Sequence, residues 1–225
     1  MTTIQDNIHS LSQQIRRCEK QYDRVAETVK LLAVSKQQSA ETIRLACLAG
    51  QYAFGENYLQ EALLKQAELS DLDIEWHFIG HIQSRKIKAI AQAFDWVQTI
   101  STPEMAIVFN QSRASAPTPL NVCIQVKIQD EDSRTGVLPE NLTQMADLML
   151  ELPHLQWRGL MYLPIEATPA DRNRRLQQIG SVFKTLRLTY PFLDTLSMGM
   201  TDDFESAISA GSTVIRIGTG IFGYR

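Results

Sequence analysis

Apolar and polar positions alternate along this chain in two rhythms. Ile4, Ile8, Leu11, Ile15, Tyr22 and Val25 recur at steps compatible with a helical period, with polar residues between them. They predict an amphipathic opening helix packed on its own domain. Beyond it, short apolar runs alternate with helix-period segments. Strands are expected over 31–35, 52–54, 75–79, 96–100, 122–128, 157–162, 193–197 and 213–217. Helices are expected over 39–48 (closed by Gly50), 58–68, 84–92, 139–151, 169–188 and 203–210. One more starts where Thr102 reads as an N-cap and Pro103 as the first helical residue. The strands are short and apolar, as parallel strands covered on both faces are. Eight strand-helix units in 225 residues match an α/β fold of the (β/α)8, or TIM barrel, type. The expected organisation is one domain over 1–225, with an extra N-terminal helix over 1–28 and the barrel over 30–225. A doubly wound open sheet usually has fewer strands and a glycine-rich first crossover, which Ser35-Lys36-Gln37 does not supply. The stretch 112–119, with Pro117 and Pro119, reads as a loop and not as a domain boundary.

Composition narrows the function. Hydrophobic residues make up 44% and charged residues 21%, an ordinary globular mix. A net charge of −3 offers no basic field for a phosphate backbone, so nucleic acid is not an expected partner. The three cysteines, Cys18, Cys47 and Cys123, lie far apart and form no C-x-x-C pair. They suggest free thiols in a reducing compartment, without a zinc site or disulfide framework. The N-terminus lacks the pattern of a signal peptide, and no apolar stretch approaches a membrane span. A cytoplasmic protein is expected.

Candidate chemistry begins at Lys36, which closes the apolar run from Lys30. Desolvation of a lysine favours the neutral amine, the form that adds to carbonyls in a Schiff base. The plainer alternative is a lysine that ends a strand and reaches water, and this segment alone favours it. The far end of the chain reverses the preference. Barrels commonly bind phosphate on the loops after strands seven and eight. After the seventh expected strand come Gly199, Thr201 and Asp202-x-x-Glu205, which reads as a capping box. After the eighth come Gly218, Thr219 and Gly220, able to form an anion nest, with Arg216 inside the strand itself. Two ligand classes combine an amine-reactive carbonyl with a phosphate: pyridoxal phosphate, and a phosphorylated sugar for a lysine-dependent aldolase. The arginine-bearing eighth strand suits a pyridine ring better than a sugar.

On these residues the chain resembles the family of pyridoxal-phosphate-binding homeostasis proteins, barrels related to the N-terminal domain of alanine racemases. The likeness covers nearly the whole chain. It is carried by Ala33-Val-Ser-Lys36, Phe54-Gly-Glu-Asn57-Tyr-Leu-Gln-Glu61, Trp76-His-Phe-Ile-Gly80-His-Ile-Gln83, Gly159-Leu-Met161, Ser197-Met-Gly-Met-Thr201-x-Asp203 and Arg216-x-Gly-Thr219-Gly-Ile-Phe-Gly223-x-Arg225. The resemblance implies pyridoxal 5'-phosphate as cofactor, held as a Schiff base on Lys36. It implies Arg216 at the pyridine nitrogen and Thr201, Gly218 and Thr219 on the phosphate. Asn57 would lie near the ring, with Met198 and Met200 lining the site. Thr201 stands where the family usually has serine, and the hydroxyl survives. Arg85 replaces a usual asparagine, Gly220 a common alanine and Arg134 a frequent lysine.

An arginine at the pyridine nitrogen keeps that nitrogen unprotonated and makes the ring a weaker electron sink. Racemisation also needs a second acid/base on the opposite face. The resemblance implies that racemases complete that face with a second domain, and this chain ends at Arg225, directly after the eighth strand. The leading expectation is therefore a non-catalytic monomer that buffers and delivers pyridoxal phosphate for intracellular homeostasis, with pyridoxal-phosphate-dependent apoenzymes as possible recipients. The alternative is a pyridoxal-phosphate-dependent amino-acid racemase or related enzyme, with Tyr58 or His81 as second base. Other groups read as structural. His77 and His81 straddle a strand end, so no helical zinc pair follows. His9 and His154 read as surface residues, Asp130-Glu131-Asp132 as a solvated loop, and Arg172, Arg174 and Arg175 as an exposed helix face.

Overall fold

The apolar runs form eight parallel strands that close into a barrel in strict chain order. They are β1 (Lys30–Val34), β2 (Ala53–Glu56), β3 (Glu75–Phe78), β4 (Trp96–Ile100), β5 (Leu120–Val126), β6 (Leu155–Tyr162), β7 (Thr195–Ser197) and β8 (Val214–Ile217). The structure is a computed structural model and describes residues 3–128, 135–164 and 168–223. Arg134, the acidic stretch 130–132 and Arg225 lie outside the described residues. The barrel closes where Leu32 pairs with Arg216 and Ala33 with Ile217.

The outer helices are α1 (Ile4–Gln21), α2 (Ala40–Leu48), α3 (Leu59–Glu68), α4 (Ile87–Ala93), α5 (Pro103–Arg113), α6 (Leu142–Leu150), α7 (Pro169–Thr189), α8 (Phe204–Ser209) and α9 (Thr219–Phe222). Short 3-10 turns at Ser84–Lys86 and Pro139–Asn141 lead into α4 and α6. Thr3, Ser39, Thr102 and Thr168 cap α1, α2, α5 and α7 by accepting a backbone N–H in the first turn. No helix among the described residues is long and apolar enough to cross a membrane.

The differences from the sequence pattern have local causes. The first helix ends at Gln21, short of the limit of 28. Glu19, buried on α1, accepts the backbone N–H groups of Glu27 (3.0 Å) and Val29 (2.8 Å). The chain folds back to meet it through left-handed Asp23 (φ 51°) and Glu27 (φ 64°), leaving Val25 76% exposed. Strands β5 and β6 start earlier than expected, at the pair Leu120 and Leu155. The polar side chains of Asn121 and Gln156 interrupt the apolar run there without interrupting the ladder.

Side chains alternate across the strands, as in any barrel. One set joins the helices in a continuous apolar layer that includes Phe54, Phe78, Val122, Leu160 and Ile215. The inner set forms two small clusters, Leu32, Ala53, Ile79 and Val214 beside Trp96, Cys123 and Met161. Between them the interior is polar, with Gln98, Ser197, His77 and Arg216 all buried. All three cysteines are free and buried, Cys18 on α1, Cys47 on α2 and Cys123 on β5. At the amino-terminal mouth of the barrel, Lys30, Glu75, Asp95 and Asn121 line part of a cavity of about 860 Å³.

Candidate functional site

The carboxyl ends of the strands gather the residues singled out from the sequence. Lys36 lies two residues past the end of β1 and is half-buried. The loop after β8 starts beside it. A Cβ built on Gly218 would come within 3.4 Å of the Val34 carbonyl oxygen, at the end of β1. Gly218 is also the N-cap of α9, so the backbone N–H groups at the start of that turn have no acceptor within the helix.

The loops after β7 and β8 meet. The Thr201 and Thr219 hydroxyl oxygens are 3.1 Å apart, so both candidate phosphate hydroxyls occupy one place. Gly199 holds the first loop close to the barrel. Its φ of 101° is left-handed, and a Cβ there would lie 2.6 Å from the Ala207 side chain. Its carbonyl accepts the Arg216 N–H at 2.9 Å, pinning this loop to β8. The expected capping box is absent. Asp203, not Asp202, is the N-cap of α8, and its carboxylate makes no cap bond. Asp203 Oδ1 instead accepts the Met200 N–H at 2.6 Å, because the loop turns back on itself before the helix begins. Desolvation raises the Asp203 carboxyl above its usual range. Its Oδ2 has no hydrogen-bond partner among the described residues and lies 3.9 Å from Arg172 Nε. Arg172 therefore leaves the exposed face expected of it and leans over this loop, while Arg174 remains exposed and pairs with Asp171.

Asn57 follows β2 and sits at the same barrel end. Gly80 packs against it so closely that a Cβ there would meet the Asn57 carbonyl oxygen at 2.2 Å. The Asn57 Oδ1 is buried without a hydrogen-bond partner among the described residues, an acceptor suited to a bound donor. Met200 is 37% exposed, whereas Met198 is fully buried in the apolar layer against the helices. Tyr58 is 53% exposed and His81 is exposed too. Arg85 is exposed and donates to Gln83.

Arg216 is the buried cation of the site. One terminal nitrogen donates to Ser197 Oγ at 2.8 Å and the other to the Tyr162 carbonyl at 2.8 Å. Desolvation pulls its guanidinium down to about 10, opposed by the charge of Asp203, so it stays cationic at neutral pH. Ser197 Oγ in turn donates to Gln98 Oε1 at 2.6 Å. Gln98 Nε2 lies 2.9 Å from His77 Nδ1, and His77 Nε2 bonds the Glu75 carboxylate. Lys30 donates to the same carboxylate oxygen at 2.5 Å. Burial lowers the His77 pKa, so the ring is neutral. A hydrogen on Nε2 then satisfies both its contacts, a tautomer assigned from the bonding. Despite desolvation, His77 and Lys30 hold the Glu75 carboxyl down to about 2. Every donor in the file points from Arg216 toward Glu75, a polarised chain that crosses the barrel interior. Sequence reasoning missed Gln98 and Ser197 as partners of Arg216 and weighed His77 only as a metal ligand. The one available signal was a polar residue inside the apolar run Trp96–Ile100. No cluster of metal-ligating side chains occurs among the described residues.

Comparison with known proteins gives the family and the fold. Residues 7–225 match the family model described as alanine racemase, N-terminal domain. The pyridoxal phosphate homeostasis protein of Pasteurella multocida (strain Pm70) is 45% identical over 228 residues, covering 99% of this chain and 98% of that protein. The solved structure of PipY from Synechococcus elongatus PCC7942 with PLP bound is 34% identical, with a TM-score of 0.85 over 98% of this chain and 100% of its own. Alanine racemase from Corynebacterium glutamicum shares the fold at 18% identity and a TM-score of 0.67; the match covers 96% of this chain and 61% of the racemase.

Proposed function

The chain belongs to the alanine racemase N-terminal domain family and to the pyridoxal phosphate homeostasis proteins, and on that premise we propose that it binds pyridoxal 5'-phosphate through Lys36 and holds, buffers and delivers it. The observation that carries the reading is the meeting of the Thr201 and Thr219 hydroxyls at the barrel end where Lys36 leaves β1. The residues fit the group. The hydroxyls and the first turn of α9 suit a phosphate, Arg216 suits a ring nitrogen, and the unpartnered Asn57 Oδ1 is an acceptor at the same end. The cofactor supplies an aldehyde that condenses reversibly with an amine.

The protein's own residues favour holding over turnover. Arg216 is locked by Ser197 and Tyr162 and presents a cation where a strong electron sink needs a carboxylate to keep the ring nitrogen protonated. The two candidate second bases, Tyr58 and His81, are both exposed to water and belong to no hydrogen-bonded acid/base pair among the bonds described. A single cytoplasmic domain acting as a monomer, with pyridoxal-phosphate-dependent apoenzymes as recipients, completes the proposal. Racemase activity is the second reading, favoured by the shared barrel.

The test is a visible absorption spectrum of the purified protein before and after borohydride, with peptide mapping. Absorption that disappears on reduction, with the pyridoxyl group on Lys36, supports the proposal. A protein that stays colourless with added cofactor, or labelling at another lysine, overturns it. Chiral analysis with a panel of amino acids separates the two readings. Isomerisation above that of free cofactor, lost in Lys36→Ala, favours the enzyme.

A further inference from the structure

Behind the exit of β1 lies a buried group of charges that the site does not use. Lys65 on α3 is 5% exposed, and Glu56, the last residue of β2, is fully buried. The Lys65 ammonium donates to the Ser35 carbonyl (2.7 Å), Glu56 Oε1 (2.7 Å) and Glu61 Oε1 (2.5 Å). These three bonds use every hydrogen it has. Ser35 Oγ donates to the same Glu56 oxygen at 2.6 Å. Glu61 Oε1 also accepts the backbone N–H of Gln37.

The residue before Lys36 and the residue after it are thus tied to one ammonium. Gln37 is left-handed, with φ of 61°, a conformation a non-glycine residue keeps only where its surroundings enforce it. The bond to Glu61 is one contact that holds it there. Glu56 also immediately precedes Asn57, so the same group fixes the strand end that carries the unpartnered amide oxygen. Buried ion pairs are poor stabilisers compared with apolar packing of equal volume, because desolvation offsets much of their attraction. Desolvation indeed raises the Glu56 carboxyl above its usual range despite the bonds from Lys65 and Ser35. A group that stabilises weakly but anchors both neighbours of Lys36 has geometry as its return.

We propose that Lys65 and Glu61 are positioning residues that fix the backbone on either side of Lys36 and so set how readily Lys36 condenses with the aldehyde. This rests on the reading of Lys36 given above. The experiment uses cofactor-free protein as wild type, Glu61→Ala, Lys65→Met and Lys65→Arg. Two ligands are compared, pyridoxal 5'-phosphate followed by stopped-flow absorbance, and pyridoxine 5'-phosphate, which keeps ring and phosphate but has no aldehyde. Misplacing a reacting group by an ångström costs up to about 100-fold, so roughly tenfold slower condensation or more is expected in Glu61→Ala and Lys65→Met. Pyridoxine 5'-phosphate affinity should stay within about twofold in Glu61→Ala, since the candidate phosphate contacts stand on the loops after β7 and β8, to which Glu61 makes no bond among the described residues, and Lys65→Arg should recover part of the rate. Faster hydrogen exchange at the Gln37 amide of Glu61→Ala should accompany the loss. Wild-type condensation rates in both variants overturn the inference, as does an equal loss for both ligands, which marks general structural damage. If Lys65→Met does not fold, the partly exposed Glu61 carries the test alone. Wild-type protein trapped at Lys36 with unaffected variants sinks only this inference. Wild-type protein not trapped at Lys36 overturns both it and the function proposed above.

Discussion

Gln98→Leu tests whether the polar file across the barrel is a connected unit. Gln98 is fully buried and makes two bonds, to His77 Nδ1 at 2.9 Å and from Ser197 Oγ at 2.6 Å. Leucine matches the volume and makes neither. Each buried group left without its partner costs about 1–3 kcal/mol, so stranding His77 Nδ1 and the Ser197 hydroxyl costs roughly 2–6 kcal/mol. Burying the leucine methyls returns about 1–2 kcal/mol, leaving a net loss of about 1–4 kcal/mol. For a chain of this length that lowers Tm by roughly 2–15 °C. Urea titration of cofactor-free protein measures it as a fall in midpoint at constant slope. A cycle with Ser197→Ala isolates the link: removing both ends together should cost at least about 0.5–1 kcal/mol less than the two single losses summed. A loss under about 0.5 kcal/mol in Gln98→Leu, or strict additivity in the cycle, would refute the connected file.

The pH response has a defined sign. His77 has a folded pKa below its ordinary 6.5, so the unfolded chain binds the proton first. Its contribution is complete above about pH 6.5 and is lost as pH falls toward the folded value, and His77→Phe should flatten that part of the urea midpoint profile. Glu75 acts in the same direction lower down, its share being lost between 4.5 and about 2. Thr201→Val should weaken both pyridoxal and pyridoxine 5'-phosphate by roughly 10–150-fold, one hydrogen bond to a charged group, as read by equilibrium titration; equal affinity would remove Thr201 from the cradle. Gly80→Ala must displace the Asn57 backbone, and should weaken cofactor binding at least as much as Asn57→Ala does. Arg216→Gln should shift the spectrum of bound cofactor and its pH response, and an unchanged spectrum would remove Arg216 from the ring.

How much of this was legible depends on sequence distance. The barrel order was readable because each strand is a local apolar run, and the meeting of Thr201 with Thr219 because both stand on neighbouring loops, after strands seven and eight. The Arg216 file was not, since Ser197, Gln98 and His77 sit on three strands and look unremarkable singly. The Asp202-x-x-Glu205 spacing misled, because the turn spends its carboxylate on Met200 before the helix starts. Lys65 carries no signal in the sequence, because a lysine four residues after Glu61 is an ordinary pair on a helix surface. Only closure of β1 against β2 shows that this face of α3 looks inward.

The three free thiols can serve as clocks. Burial raises the pKa of all three, and each sits on a different element, Cys18 on α1 and Cys47 on α2 in the layer between helices and barrel, and Cys123 on β5 inside the barrel. A thiol reagent reaches each only when its own element opens, so three labelling rates under native conditions report three opening free energies. Release of α1 alone would expose Cys18 first. Cys123 should wait for the barrel itself, giving a direct reading of how far the cofactor end can loosen while the rest of the protein stays folded.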